Sequence, residues 1–391
     1  MTTTAQVRRS LDESTLDRFR ERAAFHDAAG IYASEDLEDL RAVNWLRAAL
    51  PESRGGLGLK LDQLGREQRR MAGYSPATAL STGMHHYWVG MAADLAALGV
   101  AEADRIIGWV ADGELLASGH AEVGNDVPLS YSTTRAERVP GGWRIHGRKM
   151  FGSLGPHWDR MGFHAMDASG EAPVIVHGFV RRSAAGVQVL DNWDSQGMRA
   201  TESHDTVLDE VFVPDADVLC VVPAGPSDDP RLGAMLVWAL TLIANTYVGI
   251  AERALEIAVE SATSRTSVAI PGRTFSRNPH VQGQVADMYL TLDAARTLVE
   301  QIGVDWVAGV DHGPMWGVKV FTAKWHAATA AQRVVDLACD VVGGSSFRRG
   351  TEIERLSRDV RAARFHPGTD AFTHEVIGKA LLGVGGEGSR W

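Results

Sequence analysis

The chain has 391 residues, 45% hydrophobic and 23% charged, an ordinary globular composition with enough chain for a sizeable core and, at about 100–200 residues per domain, two or three domains. Its 49 acidic residues outnumber 39 basic ones, a formal charge of −10, which argues against a nucleic-acid partner, since phosphate contacts need clustered Lys and Arg. Cys220 and Cys339, the two cysteines, make no metal set or disulfide framework and fit a reducing cytoplasm; residues 1–20 are polar and lack the apolar core of a signal peptide, and no apolar run reaches about 18 residues, so no membrane span is expected.

Residues 10–112 read as helical. Leu37, Leu40, Val43 and Leu46 recur at helical spacing, as do Met91, Ala92, Leu95 and Leu98. Between them, residues 50–58 (Leu-Pro-Glu-Ser-Arg-Gly-Gly-Leu-Gly) form a Pro/Gly punctuator. Residues 114–222 change texture: short β-prone segments at 131–139, 143–150, 174–180, 186–190 and 206–213 alternate with turns, and Pro140-Gly141-Gly142 between two alternating runs marks a hairpin. Short strands at close spacing predict a small barrel or sandwich. Residues 231–384 return to long helices. Leu236, Leu240, Ile243, Tyr247 and Ile250 form one apolar stripe, Met288, Leu292, Ala295, Leu298 and Ile302 a second, and residues 318–337 a third. Residues 269–278, with Pro271 and Gly272 and then Pro279, form a loop between them. Four helical stretches with short connections predict a bundle. The expectation is an α+β chain in three parts: 1–113 helical, 114–224 β and 225–391 a helical bundle.

Five motifs follow this order. Residues 50–58 carry L-P-E-x-x-G-G-L-G. Residues 142–155 read G-W-R-I-H-G-R-K-M-F-G-S-L-G. Gly197-Met198-Arg199-Ala200-Thr201-Glu202-Ser203 leads to Val211-Phe212-Val213-Pro214. Residues 249–265 open a helix with G-I-A-E-R-A-L and close it on Arg265. Gly343-Gly344 leads to Glu354-Arg355 and then Arg358-Asp359. Together they resemble the acyl-CoA dehydrogenase superfamily over residues 50–383, which implies a helical domain, a middle β domain, a C-terminal four-helix bundle and a bound flavin. By that resemblance Ser153 is the hydroxyl beside flavin N5, Phe151 stands where the family has a stacking Trp, and Ala121-Glu122-Val123 replaces the T-E-P strand whose backbone faces the pyrimidine, a contact that the lost Thr leaves to the main chain. Arg265 corresponds to an Arg that reaches the cofactor of a neighbouring subunit, and Gly343-Gly344 to a phosphate-side turn. On residue type alone, a hydroxyl such as Ser153 on a strand-end turn can donate to a cofactor edge, and paired glycines allow close backbone approach.

The resemblance breaks at the catalytic carboxylate. The stem Arg358-Asp359 runs into His366-Pro367-Gly368-Thr369 where the dehydrogenases have Tyr-Glu-Gly-Thr, and the alternative base position falls on Ala239. Desaturation needs a base within reach of the α-proton, and proline and alanine offer none; Glu375 is a rescue candidate on the final helix. The sequence is more similar to a second branch, the reduced-flavin-dependent monooxygenases, which lack the Glu and carry histidines. That similarity implies His366 as the proton-handling residue, His86 of the adjacent pair His85-His86 as its assistant, and Ser153 as a third catalytic group. It further implies reduced FAD or FMN from a flavin reductase, a C4a-hydroperoxyflavin, a small organic substrate that is hydroxylated or N-oxygenated, and a homotetramer. An acyl-CoA dehydrogenase with a displaced base and a flavoprotein scaffold without activity are the alternatives. Adjacent histidines diverge by about 100° on a helix, so no metal site is expected of the pair.

Overall fold

The computed structural model describes residues 11–384; residues 1–10 and 385–391, and with them the first half of the polar N-terminal stretch, lie outside the described residues. The N-terminal part is helical: α1 (Glu13–Ala29), α2 (Ser34–Ala42), α3 (Leu61–Ala72), α4 (Pro76–Ala97) and α5 (Ala101–Ala111). Local chemistry starts and stops these helices. The Asp12 carboxylate accepts from the Thr15 N–H at 2.8 Å and Gly30 ends α1 in the left-handed region. Pro76 occupies the first turn of α4, where its missing N–H costs nothing. α4 is buried on nearly every face, which marks it as the central helix of this part.

Eight strands follow: β1 (Leu116–Gly119), β2 (Arg135–Val139), β3 (Gly142–Gly152), β4 (Arg160–Asp167), β5 (Val174–Arg181), β6 (Val187–Val189), β7 (His204–Pro214) and β8 (Val218–Pro223). They join into one sheet in the order β6-β7-β3-β2-β4-β5-β8, with β1 parallel to β4. The β2–β3 hairpin turns at Pro140-Gly141-Gly142 with Gly141 at φ 78°, as its composition requires. Strands β1, β4 and β8 were not anticipated. β4 conceals itself because it carries Arg160 and His164, both fully buried. Arg160 is neutralised by Glu114 and Asp217 and lies 3.8 Å over the Trp109 ring.

The C-terminal part holds α6 (Pro230–Ser264), α7 (Pro279–Val307), α8 (Met315–Val342), α9 (Glu352–Asp359) and α10 (Asp370–Leu382). α6 packs on α7 and α8 and also on α3 and α4 of the N-terminal part. Two glycines permit that approach. A Cβ on Gly249 would lie 2.1 Å from the Arg69 carbonyl oxygen of α3, and one on Gly90 of α4 would lie 2.2 Å from the Trp238 ring of α6. The reading that no apolar stretch is long enough to span a membrane meets one exception, α6. Its length and a mean hydropathy of 1.7 suffice for a membrane crossing by composition alone, but 89% of that window is buried inside the protein, so the apolarity is that of a core helix shared by two layers.

Candidate active site

A cavity of about 680 Å³ lies where α4, the ends of β1 and β3, the 192–203 loop, α6 and the 358–368 segment converge. α4 contributes Leu80, Met84 and Tyr87 to its wall. α6 contributes Met235, Leu236, Ala239, Leu240 and Ile243. Both sets follow helical spacing, so the cavity is faced by one stripe of each helix.

The Arg358-Asp359 stem closes this space. Arg358 pairs with Asp27 of α1 at 2.6 Å and with Glu354 one turn earlier, and it donates to the Gln196 carbonyl. Asp359 accepts from the Met198 N–H at 2.5 Å. Gly197 makes the contact possible, because a Cβ there would meet the Arg358 carbonyl oxygen at 2.3 Å. The two motifs G-M-R and R-D are thus one latch joining β layer, bundle and α1.

Of the residues expected in the site, Phe151, Ser153 and His366 line the cavity. Phe151 sits at φ 60°, half-exposed, edge-on to Trp193 with ring centroids 6.0 Å apart. Ser153 begins a chain of hydroxyls. Thr201 donates to the Met198 carbonyl at 2.8 Å, Ser203 lies 2.7 Å from Thr201, and Ser153 lies 2.8 Å from Ser203. Each hydroxyl has one proton, so the fixed end sets the direction: Ser203 donates to Thr201 and Ser153 donates to Ser203. Ser153 then offers lone pairs to the cavity, the reverse of the donor role expected from sequence. His366 lies against the Tyr247 ring with centroids 5.6 Å apart, and its Nε2 is buried without a protein partner. Burial, then the charge of Lys324, pulls this imidazole down to about 3, so it is neutral at ordinary pH.

Glu122 does not reach the cavity. Its carboxylate is enclosed and accepts from Lys149 (2.6 Å), Ser132 (2.7 Å), Asn125 (2.8 Å) and the backbone N–H groups of Thr133 and Thr134 (both 3.0 Å). Burial works against its charge, but His164 and Lys149 hold it well below the usual carboxylate range. The Glu122 side chain is thus a buried structural ion pair; of the 121–123 segment, from which a main-chain cofactor contact was expected, Ala121 alone lines the cavity wall. His86 is also displaced. It is fully buried on another face of α4, against Trp45 and His85, with neither ring nitrogen partnered. His85 is occupied in the core: Nε2 donates to the Leu46 carbonyl at 2.7 Å and Nδ1 accepts from the Leu116 N–H at 3.1 Å. Arg265 and Gly343 come together elsewhere. The Arg265 guanidinium donates to the carbonyls of Val341 and Val342, under Gly343 at φ 77°, and Gly344 follows on the same turn; none of the three lines the cavity.

The histidine that sequence reasoning missed is His120. It lines the cavity beside Tyr87 and Ser118. Tyr87 donates to the Ser118 hydroxyl at 2.9 Å, and Ser118 lies 3.1 Å from His120 Nδ1, leaving Nε2 buried and without a partner. It directly follows β1, a strand that the sequence reading did not anticipate. Ala239 and Pro367, at the two positions where the resemblance would put a base, both line the cavity. Among the described residues the carboxylates on its wall are Asp194, 3.2 Å from Arg199, and Asp205, held by Arg148. Glu375 is off the wall and pairs with Lys379 at 3.0 Å. No cluster of three or more His, Cys, Asp or Glu suited to a metal occurs among the described residues.

Buried neutral imidazoles make stability pH-dependent. Burial lowers His85 and His164 to about 4 and His177 and His366 to about 3, and takes His86 and His120 in the same direction. The unfolded chain takes up these protons near pH 6.5 and the folded chain only far lower. Stability is therefore complete above about pH 6.5 and falls as pH drops, each tenfold difference in proton affinity between the two states being worth about 1.4 kcal/mol. Asp36 and Asp359, raised by burial to about 6, oppose this below pH 6, but six imidazoles outweigh two carboxyls. Urea midpoints should be clearly lower at pH 5 than at pH 7; equal midpoints would contradict the neutral histidine core.

Comparison with known proteins agrees with this architecture. Residues 234–382 match the acyl-CoA dehydrogenase C-terminal domain family. A putative acyl-CoA dehydrogenase YdbM from Bacillus subtilis is 29% identical over 374 residues, 93% of this chain and 94% of that protein. An L-evernosamine nitrososynthase from a Micromonospora species is 29% identical over 364 residues, 90% of this chain and 83% of that one. The crystal structure of the nitrososynthase from Micromonospora carbonacea var. africana superposes with a TM-score of 0.82 at 27% identity, covering 95% of this chain and 94% of that one. The fold is that of the acyl-CoA dehydrogenases. Residues 234–382 carry the family match, and the whole chain shares its architecture with these relatives.

Proposed function

We propose that the chain is a flavin-dependent monooxygenase that receives reduced FAD or FMN from a flavin reductase and, with O2, N-oxygenates or hydroxylates a small organic substrate in this cavity. The observation that carries the reading is the wall itself: Ala239 and Pro367 stand at the two base positions, the wall carboxylates among the described residues are held by arginines, and a neutral histidine, His366, takes their place. An α-proton has no carboxylate to go to; a heteroatom proton has an imidazole.

The residues fit a flavin. The volume of about 680 Å³ lies within the roughly 300–1,000 Å³ of small-molecule sites, with apolar walls and a few polar groups. Phe151 offers a ring face, and Ser153 an acceptor. The reduced flavin ring carries an N–H at N5 where the oxidised ring has a bare nitrogen, so an acceptor-only Ser153 supports the reduced form. When bound, reduced flavin supplies the two electrons that divide O2 between substrate and water. The chain does the rest. The α4 and α6 stripes exclude water. His366 accepts the proton that an amine or phenol loses as its N–O or C–O bond forms. His120, with Tyr87 and Ser118, provides a second neutral hydrogen-bonding group on the wall. An amine substrate is favoured by the likeness to a nitrososynthase. By resemblance, Arg265 beside Gly343-Gly344 serves the cofactor of a neighbouring subunit in a homotetramer, and the three parts 1–113, 114–224 and 225–391 are the domains.

The second reading, an acyl-CoA dehydrogenase, is favoured by the likeness to YdbM but needs a displaced base, and Glu375 is engaged by Lys379. The experiment is incubation with reduced flavin, a flavin reductase and ¹⁸O₂ over a panel of amines and phenols. The expected product is heavier by one labelled oxygen; products that have lost two hydrogens without gaining oxygen would refute the monooxygenase.

A further inference from the structure

Lys324 on α8 is 2% exposed, and no carboxylate oxygen lies within 4.0 Å of its Nζ among the described residues. A buried ammonium without a counter-ion is costly, and here the compensation comes from backbone oxygen. Nζ donates to the carbonyls of Ala363 and Gly368, both at 2.9 Å, and lies 3.4 Å from that of His366. All three acceptors fall in one segment, the 363–368 loop, which has Pro367 in place of an N–H donor and Gly368 at φ 77° packed against Phe321. The ammonium is a tripod under the loop that presents His366 to the cavity. We infer that Lys324 is a positioning residue, fixing the 363–368 loop that carries His366 by its three carbonyl contacts and placing an ammonium beneath it.

The surroundings leave this charge unopposed. From α6, His366 meets the neutral Tyr247 ring; Asp359 lies beyond and accepts from the Met198 N–H. From α10, Asp370 accepts from the Trp325 indole, His374 lies beside Asp370, and Glu375 pairs with Lys379. On α8 the next titratable group is His326, ring-to-ring with Trp325; Arg361 and Arg364 on the preceding turn are exposed. The shifts agree: burial lowers Lys324 to about 8, and burial followed by Lys324 lowers His366.

The inference deepens the role proposed for His366, but its test needs no flavin and no turnover, so it can fail while the oxygenase reading stands, and the reverse. His366 would be followed by NMR of ring-labelled histidine, assigned with His366→Gln, alongside hydrogen exchange of residues 360–370. Lys324→Met removes charge and donors; Lys324→Gln removes the charge but keeps N–H donors. Lys324→Met should raise the His366 midpoint by about one pH unit or more and speed exchange of the loop by about tenfold or more. Lys324→Gln should raise the midpoint with a smaller change in exchange. In the unaltered protein, the His366 ring signals should move with a midpoint near 8 as Lys324 itself titrates, a readout that survives if a variant does not fold. Unmoved His366 signals across that range, or variants with unchanged midpoint and exchange, would overturn the assignment.

Discussion

Glu122→Ala should destabilise the fold by about 3–5 kcal/mol, the range for removing one partner of a buried ion pair. The substitution leaves Lys149, 1% exposed, with a carbonyl of His164 and no carboxylate. It also strands the Thr133 N–H and takes one acceptor from each of Ser132, Asn125 and Thr134, which converge on the same two oxygens. Because a domain holds only about 5–15 kcal/mol in reserve, much of the variant should be unfolded or aggregated at growth temperature. Replacing both charges, as Glu122→Met with Lys149→Met, should cost less than the sum of the single changes, since neither charge is then left alone. A thermal melt of Glu122→Ala within two or so degrees of the unaltered protein would contradict this placement and return Glu122 to the candidate cofactor ligands.

His366→Ala should lower oxygenation by about 10²–10⁴, the usual contribution of a positioned acid–base group, while flavin affinity stays within a few-fold. The distinction follows from geometry. His366 joins the cavity through the 363–368 loop, whereas Phe151 and Ser153 come from the end of β3 and the turn after it. Since burial and then Lys324 hold the imidazole near 3, it enters the reaction neutral, and no His366 limb is expected in the pH–rate profile between pH 5 and 8. Unchanged turnover in the alanine variant, or loss of flavin binding in step with activity, would remove His366 from the proton path.

The three-part order was legible because hydrophobic spacing changes period twice along the chain, near residues 113 and 230, and because the motif glycines mark close approaches that the structure contains, at Gly197 and Gly249. Phe151, Ser153 and His366 were legible through the same motifs. What sequence could not supply was direction. His85 and His86 are equally placed in the chain, yet α4 turns both away from the cavity, and Tyr87 and Met84 face it instead. Glu122 follows two cavity residues, His120 and Ala121, but its carboxylate is turned inward by Lys149, Ser132 and the Thr133 and Thr134 N–H groups. Ser153 lines the cavity wall, but its donor direction depends on Ser203 and Thr201, some fifty residues on in the chain. β4 was hidden by charges that only its partners Glu114 and Asp217 make tolerable in a core. Lys324 resembles any lysine on an amphipathic helix until the carbonyls around it are seen.

The most direct test of the oxygenase assignment is to load the protein with flavin, reduce it without oxygen, and record its spectrum on mixing with air-saturated buffer, with a parallel sample of oxidised flavoprotein titrated with acyl-CoA esters. A monooxygenase should give a long-lived absorbing species that is neither reduced nor oxidised flavin, and no bleaching by acyl-CoA. Immediate return of the oxidised spectrum together with bleaching by an acyl-CoA would contradict the assignment and establish a dehydrogenase with its base elsewhere.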